Sequence, residues 1–187
     1  MQLLPTNTNY AALLGFAGGP GVDEGELRRG YYDLSRRLHP DRFQTGTPEE
    51  QRASVQATAL LNTAYTTLKD VESRGRWWLE RIGDSLSRDN RQVPPGLAAL
   101  VFDVQETIAQ RAGCPDAERG ALDTELRRSR DELAERRSKE RKKVEALLTG
   151  WPREGDTNAA RAELKRALSE LSYLRTLARD VQSALED

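Results

Sequence analysis

Residues 31–50 read YYDLSRRLHPDRFQTGTPEE, and this stretch holds the end of one helix, a loop and the start of a second helix. Pro40 ends the first helix, because proline disfavours helical backbone at the residue before it. The second helix begins at Thr47, which can cap it, while Pro48 fits the first helical position and Glu50 completes a capping box. Two helices joined by a loop of this length usually pack antiparallel, so we expect the loop HPDRFQTG to project from one end of the pair.

Both helices extend outward from this stretch. A loop rich in Gly and Pro at 15–22 precedes Asp23 and Glu26, which resemble a helix N-terminus. The apolar residues that follow recur at helical spacing. In the first helix they are Leu27, Tyr31, Leu34 and Leu38, and in the second Val55, Ala59, Leu60 or Leu61, Ala64, Tyr65 and Leu68. We predict that the core of this pair includes Tyr31, Tyr32, Leu34, Phe43, Tyr65 and Leu68.

Short helices at 9–14 and 73–82 would cover the pair and complete a four-helix domain over residues 1–82. Residues 83–95 are polar and end in two prolines, which is typical of a linker of limited flexibility. Three amphipathic segments follow in the remaining domain, 96–187, at 96–112, 116–149 and 157–186, with Gly and Pro at each break. The sequence therefore predicts an all-α protein in which a four-helix domain is followed by an antiparallel three-helix bundle.

The composition narrows the class of protein. Of 187 residues, 37% are hydrophobic and 32% are charged, a balance typical of long amphipathic helices. A net charge of -1 argues against a strongly basic nucleic-acid binder or an acidic tail. The single cysteine, Cys114, excludes an internal disulfide and fits a reducing compartment. There is neither a long apolar run nor a signal-peptide pattern, so we expect a soluble, intracellular protein.

The loop is suited to binding rather than to catalysis. His39 is the only histidine, and no cysteine or activating Ser or Lys constellation accompanies it. We therefore predict no catalytic residue, no metal ligand and no cofactor. Four arginines give the preceding helix a positive surface that could steer an acidic partner. Arg36 and Arg37 lie nearest the loop, and Arg28 and Arg29 lie roughly 10–15 Å further along the helix.

The segment YYDLSRRLHPDRF, followed by NTAYTTLKD at residues 62–70, resembles the J-domain of co-chaperones that act with seventy-kilodalton heat-shock ATPases. This resemblance implies that His39, Pro40 and Asp41 bind such an ATPase and stimulate its hydrolysis of ATP. It also implies that the arginines of the preceding helix join the contact. The catalysis would then belong to the partner.

The rest of the chain resembles the HscB-type co-chaperones of iron-sulfur cluster assembly. It has no Gly/Phe-rich linker and no Cys-x-x-Cys repeat, and its roughly 90-residue second half is helical in pattern. Lys69-Asp70, Arg74 and Trp77-Trp78-Leu79 match the segment that follows the long J helix in that family, whereas Val71 replaces a proline. The resemblance implies an L-shaped two-domain arrangement.

It also implies two partners, an HscA-like seventy-kilodalton ATPase and an IscU-type scaffold protein. We expect a monomer that binds neither nucleic acid nor membrane. Its location would be the bacterial cytoplasm, or the mitochondrial matrix if the source is eukaryotic.

One face of the helix at 96–112 is a candidate docking surface for the scaffold. The core stripe of this helix is Leu97, Leu100, Val101, Val104 and Ile108, and Phe102 points about 140° away from it. An exposed aromatic beside carboxylates is a plausible protein-docking patch. The resemblance implies a scaffold contact made by Ala98, Ala99, Phe102, Asp103 and Glu106. Tyr173 on the last helix also points off its apolar stripe, and the resemblance implies that it corresponds to an aromatic in the family's scaffold patch.

Alternatives remain open. The middle helix carries nine basic and four acidic residues over 126–143, which could form a surface for nucleic acid or anionic lipid. We favour a solvated face, because Glu132 with Arg136 and Glu135 with Lys139 are supporting pairs. Trp151 is expected to plug an end of the bundle. The chain could also be a general J-domain adaptor whose last helices bind another client or dimerise. An enzyme is disfavoured by the lack of paired catalytic groups.

Overall fold

A computed structural model describes residues 9–16, 19–86, 93–152 and 155–186. Within these ranges the backbone forms α-helices and short 3-10 turns and no strand. The helices are α1 Tyr10–Leu13, α2 Glu24–Leu38, α3 Pro48–Lys69, α4 Val71–Arg81, α5 Ala98–Gly113, α6 Arg119–Thr149 and α7 Asn158–Glu186. The 3-10 turns are Pro40–Phe43, Pro95–Leu97 and Asp116–Glu118. The predicted all-α class is confirmed. Of the predicted linker, residues 87–92 lie outside the described ranges.

Local capping fixes where the helices of the central pair begin. The Asp23 carboxylate accepts the Glu26 N–H at 2.8 Å, so α2 starts at the residue after Asp23. At α3, the Thr47 hydroxyl accepts the Glu50 N–H at 3.3 Å and the Glu50 carboxylate accepts the Thr47 N–H at 2.9 Å. Both predicted caps are confirmed, because they depend on residues only three positions apart.

The described residues fall into two compact units. The first unit comprises the chain up to Asp84 together with Glu145–Ala160, and the second comprises Ser85–Val144 with Arg161–Asp187. The sequence placed all of 96–187 in one C-terminal domain, so the structure differs in assigning Glu145–Ala160 to the first unit.

Two contacts explain this assignment. The buried guanidinium of Arg74 donates to the Leu68 carbonyl at 2.7 Å and forms an ion pair with Glu145. The rings of Trp78 and Trp151 meet edge to face, with 5.7 Å between centroids. Trp151 is buried there, so it packs in the first unit and does not plug the three-helix bundle as predicted.

The core of the first unit lies between α1, α2 and α3. Its buried residues are Leu14, Leu27, Leu61, Ala64 and Leu68, and Tyr31, Leu34, Leu38, Tyr65 and Trp77 pack against them. The helices approach closely at Gly30, where an added Cβ would lie 2.9 Å from the Leu14 carbonyl oxygen.

Three side chains expected in this core are exposed instead. The buried face of α3 consists of Ser54, Ala57, Leu61, Ala64 and Leu68. Val55 and Ala59 therefore lie outside the core, and Val55 is 57% exposed. On α2, Tyr32 is 54% exposed, because it lies 100° around the helix from Tyr31, which faces α3.

The second unit is a bundle in which α5, α6 and α7 share one core. Its buried residues are Leu97, Val104, Leu126, Leu133, Leu174, Leu177 and Val181. Arg111 near the end of α5 pairs with Asp123 near the start of α6 at 2.6 Å, and Lys143 of α6 pairs with Glu163 of α7 at 3.6 Å. Each pair joins the end of one helix to the start of the next, while Leu126 and Leu133 in the first half of α6 share the core with residues in the second half of α7. Helices α6 and α7 therefore run antiparallel, and the predicted three-helix bundle is confirmed.

The exposed face of α6 carries the expected ion pairs. Arg136 lies 2.8 Å from Glu132, and Lys139 lies 2.7 Å from Glu135. Each pair joins residues four apart with the acid first, which supports a solvent-exposed helix.

Candidate functional site

The loop after α2 turns sharply at His39, which ends that helix and caps the 3-10 turn that follows. Pro40 occupies the first position of the turn, where a missing N–H leaves no donor unpaired. The Asp41 N–H donates to Nδ1 of His39 at 3.2 Å, and the Arg42 N–H donates to the His39 carbonyl at 3.0 Å. These two hydrogen bonds hold the backbone of the tripeptide in a tight turn.

This geometry determines which groups the loop presents. Because Nδ1 of His39 accepts the backbone N–H, the neutral ring carries its proton on Nε2. The side chain of His39 is 52% exposed and that of Asp41 is 73% exposed. The loop thus offers an N–H donor and a carboxylate acceptor to a partner. The Asp41 carboxylate also lies 3.4 Å from Nδ1 of His39.

Two hydroxyls of α3 hold the end of α2 directly before the loop. Ser54 donates to the Leu38 carbonyl at 2.6 Å, and Thr58 donates to the same oxygen at 3.2 Å. A helix leaves its last carbonyls without intrahelical donors, and Pro40 cannot supply an N–H. Sequence reasoning missed both residues. The signal available was a pair of hydroxyls four apart, on the helix expected to pack beside α2.

The far side of the loop is tied to α3 through glutamine side chains. The Gln51 amide donates to the carbonyls of Gln44 and Gly46 at 3.0 and 3.2 Å. The Gln44 amide in turn donates to the Asp41 carboxylate at 3.4 Å. The exposed Val55 lies beside these groups, in a shallow pocket with Pro40, Asp41, Gln44 and Gln51.

The four arginines predicted to accompany the loop are all exposed on α2. Arg28 lies 3.9 Å from Glu24, and Arg29 lies 4.0 Å from Glu26, both at the limit for an ion pair. Arg36 and Arg37 occupy the last turn, where positive charge is favoured by the helix dipole.

The predicted docking face on α5 is solvent-exposed. Phe102 is 67% exposed, and the other exposed residues of this face are Ala98, Ala99, Asp103 and Glu106. The opposite side of α5 packs into the bundle core through Leu97 and Val104. The predicted rotational phase of this helix is therefore confirmed.

Tyr173 does not stand clear of α7 as the sequence suggested. It is half-buried and packs against the core of the second unit, because the buried face of α7 includes Leu174 and Leu177. A broad apolar face of this kind brings Tyr173 to the edge of the core.

The described residues contain no group of three or more His, Cys, Asp or Glu side chains that could hold a metal ion. Among the helices of that same part of the chain, none is long and apolar enough to cross a membrane.

No family model matches the chain. The chain is 36% identical over 117 residues to a co-chaperone protein HscB homolog of Aeromonas hydrophila, and the match covers 62% of this chain and 67% of that protein. An HscB homolog of Shewanella sp. strain W3-18-1 is 32% identical over 141 residues, covering 75% of this chain and 76% of that protein.

The crystal structure of human co-chaperone protein HscB has the same fold. It superposes with a TM-score of 0.72 over 96% of this chain and 83% of that chain, at 20% identity. The sequence matches cover most of the length of their relatives, and the histidine loop and the bundle both lie in the expected order. The chain therefore belongs to the HscB co-chaperone family.

Proposed function

We propose that this co-chaperone stimulates ATP hydrolysis by an HscA-like seventy-kilodalton chaperone and delivers an IscU-type iron-sulfur scaffold protein to it. The first activity is assigned to the loop of His39, Pro40 and Asp41, and the second to the exposed face of α5. The observation that carries the proposal is the loop itself. Its polar groups are exposed, while hydrogen bonds from α3 hold the backbone on both sides of them.

The loop would act by binding alone. His39 offers its Nε2–H and Asp41 its carboxylate, and the contacts that the structure describes for these two side chains pair no nucleophile with an activating base. The arginines of α2 would steer an acidic surface of the ATPase toward the loop. All bond making and breaking would then occur in the ATPase.

Steady-state ATPase assays with the purified chaperone test the first activity. We expect His39→Gln and Asp41→Asn each to abolish stimulation. Both side chains are more than half exposed, so the melting temperature should change little. Asp116→Asn removes an exposed carboxylate of the second unit and serves as the matched control. A folded His39→Gln variant with full stimulation contradicts the assignment.

The scaffold contact is tested with Phe102→Ala combined with Glu106→Ala. Truncating an interface aromatic costs on the order of 2 kcal/mol, or about thirtyfold in dissociation constant. Calorimetry should detect this loss, whereas stimulation without scaffold should persist. Arg128→Ala, at an exposed position of α6, is the control. If the double variant binds the scaffold as tightly as wild type, the docking surface is not this face of α5, and Tyr173 is the next candidate.

The two activities should be synergistic in one reaction. Scaffold added together with this co-chaperone should stimulate the ATPase more than the sum of the separate additions. Stimulation without any scaffold effect would instead favour a general J-domain adaptor. Sedimentation of the free protein tests the predicted monomer and distinguishes it from an adaptor that dimerises.

A further inference from the structure

Tyr32 is an exposed aromatic in the middle of the arginine surface of α2. Its side chain is 54% exposed, although the residue was expected in the core. Residues three and four apart are neighbours on a helix, so Arg28 and Arg29 flank the ring on one side and Arg36 flanks it on the other. All three arginines are exposed.

The ring is held in place by other aromatic side chains. Tyr32 meets Tyr31 edge to face with 5.6 Å between centroids, and Tyr31 stacks on Tyr65 of α3 at 4.2 Å. The Tyr31 hydroxyl donates to the Asn62 side chain at 2.9 Å, which fixes the middle ring. An exposed ring that packs on ordered neighbours loses little conformational entropy when a partner covers it.

The charges around the ring indicate the chemistry of its partner. From residue 28 to residue 37, α2 carries four arginines and a single acidic residue, Asp33. The ion pairs of Arg28 and Arg29 are long, and Arg36 makes no ion pair with any residue that the structure describes. The surface around Tyr32 is therefore positive, and it is complementary to an acidic partner.

We infer that Tyr32 is the apolar anchor of the surface that binds the chaperone ATPase. The occupant is a patch of that ATPase with an acidic rim and an apolar floor, because binding energy concentrates in central aromatics that charges surround. This inference rests on the proposed function. It adds a residue that contributes affinity, whereas His39 and Asp41 are assigned to the stimulation itself.

The test is a titration of the chaperone's ATPase with wild type, Tyr32→Ala and Tyr32→Phe. For Tyr32→Ala we expect the half-saturating concentration to rise about tenfold to thirtyfold, with a smaller effect on the maximal rate. Tyr32→Phe keeps the ring and should stay close to wild type. Repeating the titration at rising salt concentration distinguishes the apolar contribution of Tyr32 from the electrostatic contribution of the arginines. Arg36→Ala should weaken the dependence of the half-saturating concentration on salt, and Tyr32→Ala should not.

Circular dichroism verifies that each variant is folded, and Tyr32→Gln replaces Tyr32→Ala if the latter is not. An unchanged half-saturating concentration for a folded variant overturns the inference. So does a Tyr32-dependent change in sedimentation, which would make a second copy of this chain the occupant. A His39→Gln control that still stimulates would instead overturn the proposed function, so the two failures are distinguishable.

Discussion

The carbonyl of Leu38 allows a direct test of what holds the histidine loop in place. Its donors among the described residues are the hydroxyls of Ser54 at 2.6 Å and Thr58 at 3.2 Å. Because the two hydroxyls share one acceptor, Ser54→Ala or Thr58→Val alone leaves the carbonyl with one hydrogen bond. The double variant leaves it with none. We therefore expect the two substitutions to be coupled.

The size of this coupling follows from the cost of hydrogen bonds. Losing one donor while the carbonyl stays paired should lower the free energy of unfolding by about 1 kcal/mol or less. Leaving the carbonyl unpaired adds a desolvation cost of about 1–3 kcal/mol, so the double variant should exceed the sum of the single ones. In a unit of about 100 residues, such as the first unit, each kcal/mol of lost stability lowers the melting temperature by about 4–8 °C.

Tryptophan fluorescence during denaturant unfolding is a suitable assay, because Trp77, Trp78 and Trp151 all lie in the first unit. Thr63→Val is the matched control, since that hydroxyl donates to the Ala59 carbonyl of its own helix at 3.0 Å. Ser54→Ala and Thr58→Val, but not the control, should also raise the half-saturating concentration of the co-chaperone in the ATPase assay, because the histidine loop is held less firmly. Strictly additive effects on stability would refute the shared-acceptor explanation.

Two further predictions concern stability. Gly30→Ala should lower the melting temperature, although alanine is favoured in helices by about 1 kcal/mol, because its Cβ would lie 2.9 Å from the Leu14 carbonyl oxygen; a stabilised variant contradicts this close approach. Burial and the nearby Glu170 raise the pKa of Glu140, so its ionisation destabilises the folded state as pH rises. Glu140→Gln should therefore increase the free energy of unfolding at neutral pH but not below about pH 4, where the carboxyl is protonated in both states. An equal gain at both pH values would exclude ionisation as the cause.

The sequence predicts those features that depend on near neighbours along the chain. The caps at Asp23 and Thr47 are correct because each involves residues within one turn. The prediction that Phe102 is exposed is also correct, since the apolar positions of α5 define a single face. The loop tripeptide is equally local, and its resemblance to J-domains led to the right family.

Errors arose where distant residues decide the outcome. Tyr32 and Val55 are hydrophobic, but the packing of α2 against α3 selects Tyr31 and Ser54 for the interface. A serine in a buried stripe has no apolar signature, so its bond to Leu38 was not predictable from periodicity.

The boundaries of the first unit were also not predictable from the sequence. Arg74 and Glu145 are 71 residues apart, and α6 runs without a break across the point where one unit gives way to the other.

That separation also orders events during synthesis of the protein on the ribosome. At roughly 5–20 residues per second, the 71 residues from Gly75 through Glu145 take roughly 4–14 s to translate. Once Arg81 has been added, the nascent chain contains the residues of α2, α3 and α4 but lacks both Glu145, which pairs with Arg74, and Trp151, whose ring contacts that of Trp78. The first unit, whose translation begins earlier, therefore completes its structure only after most of the second unit has been translated.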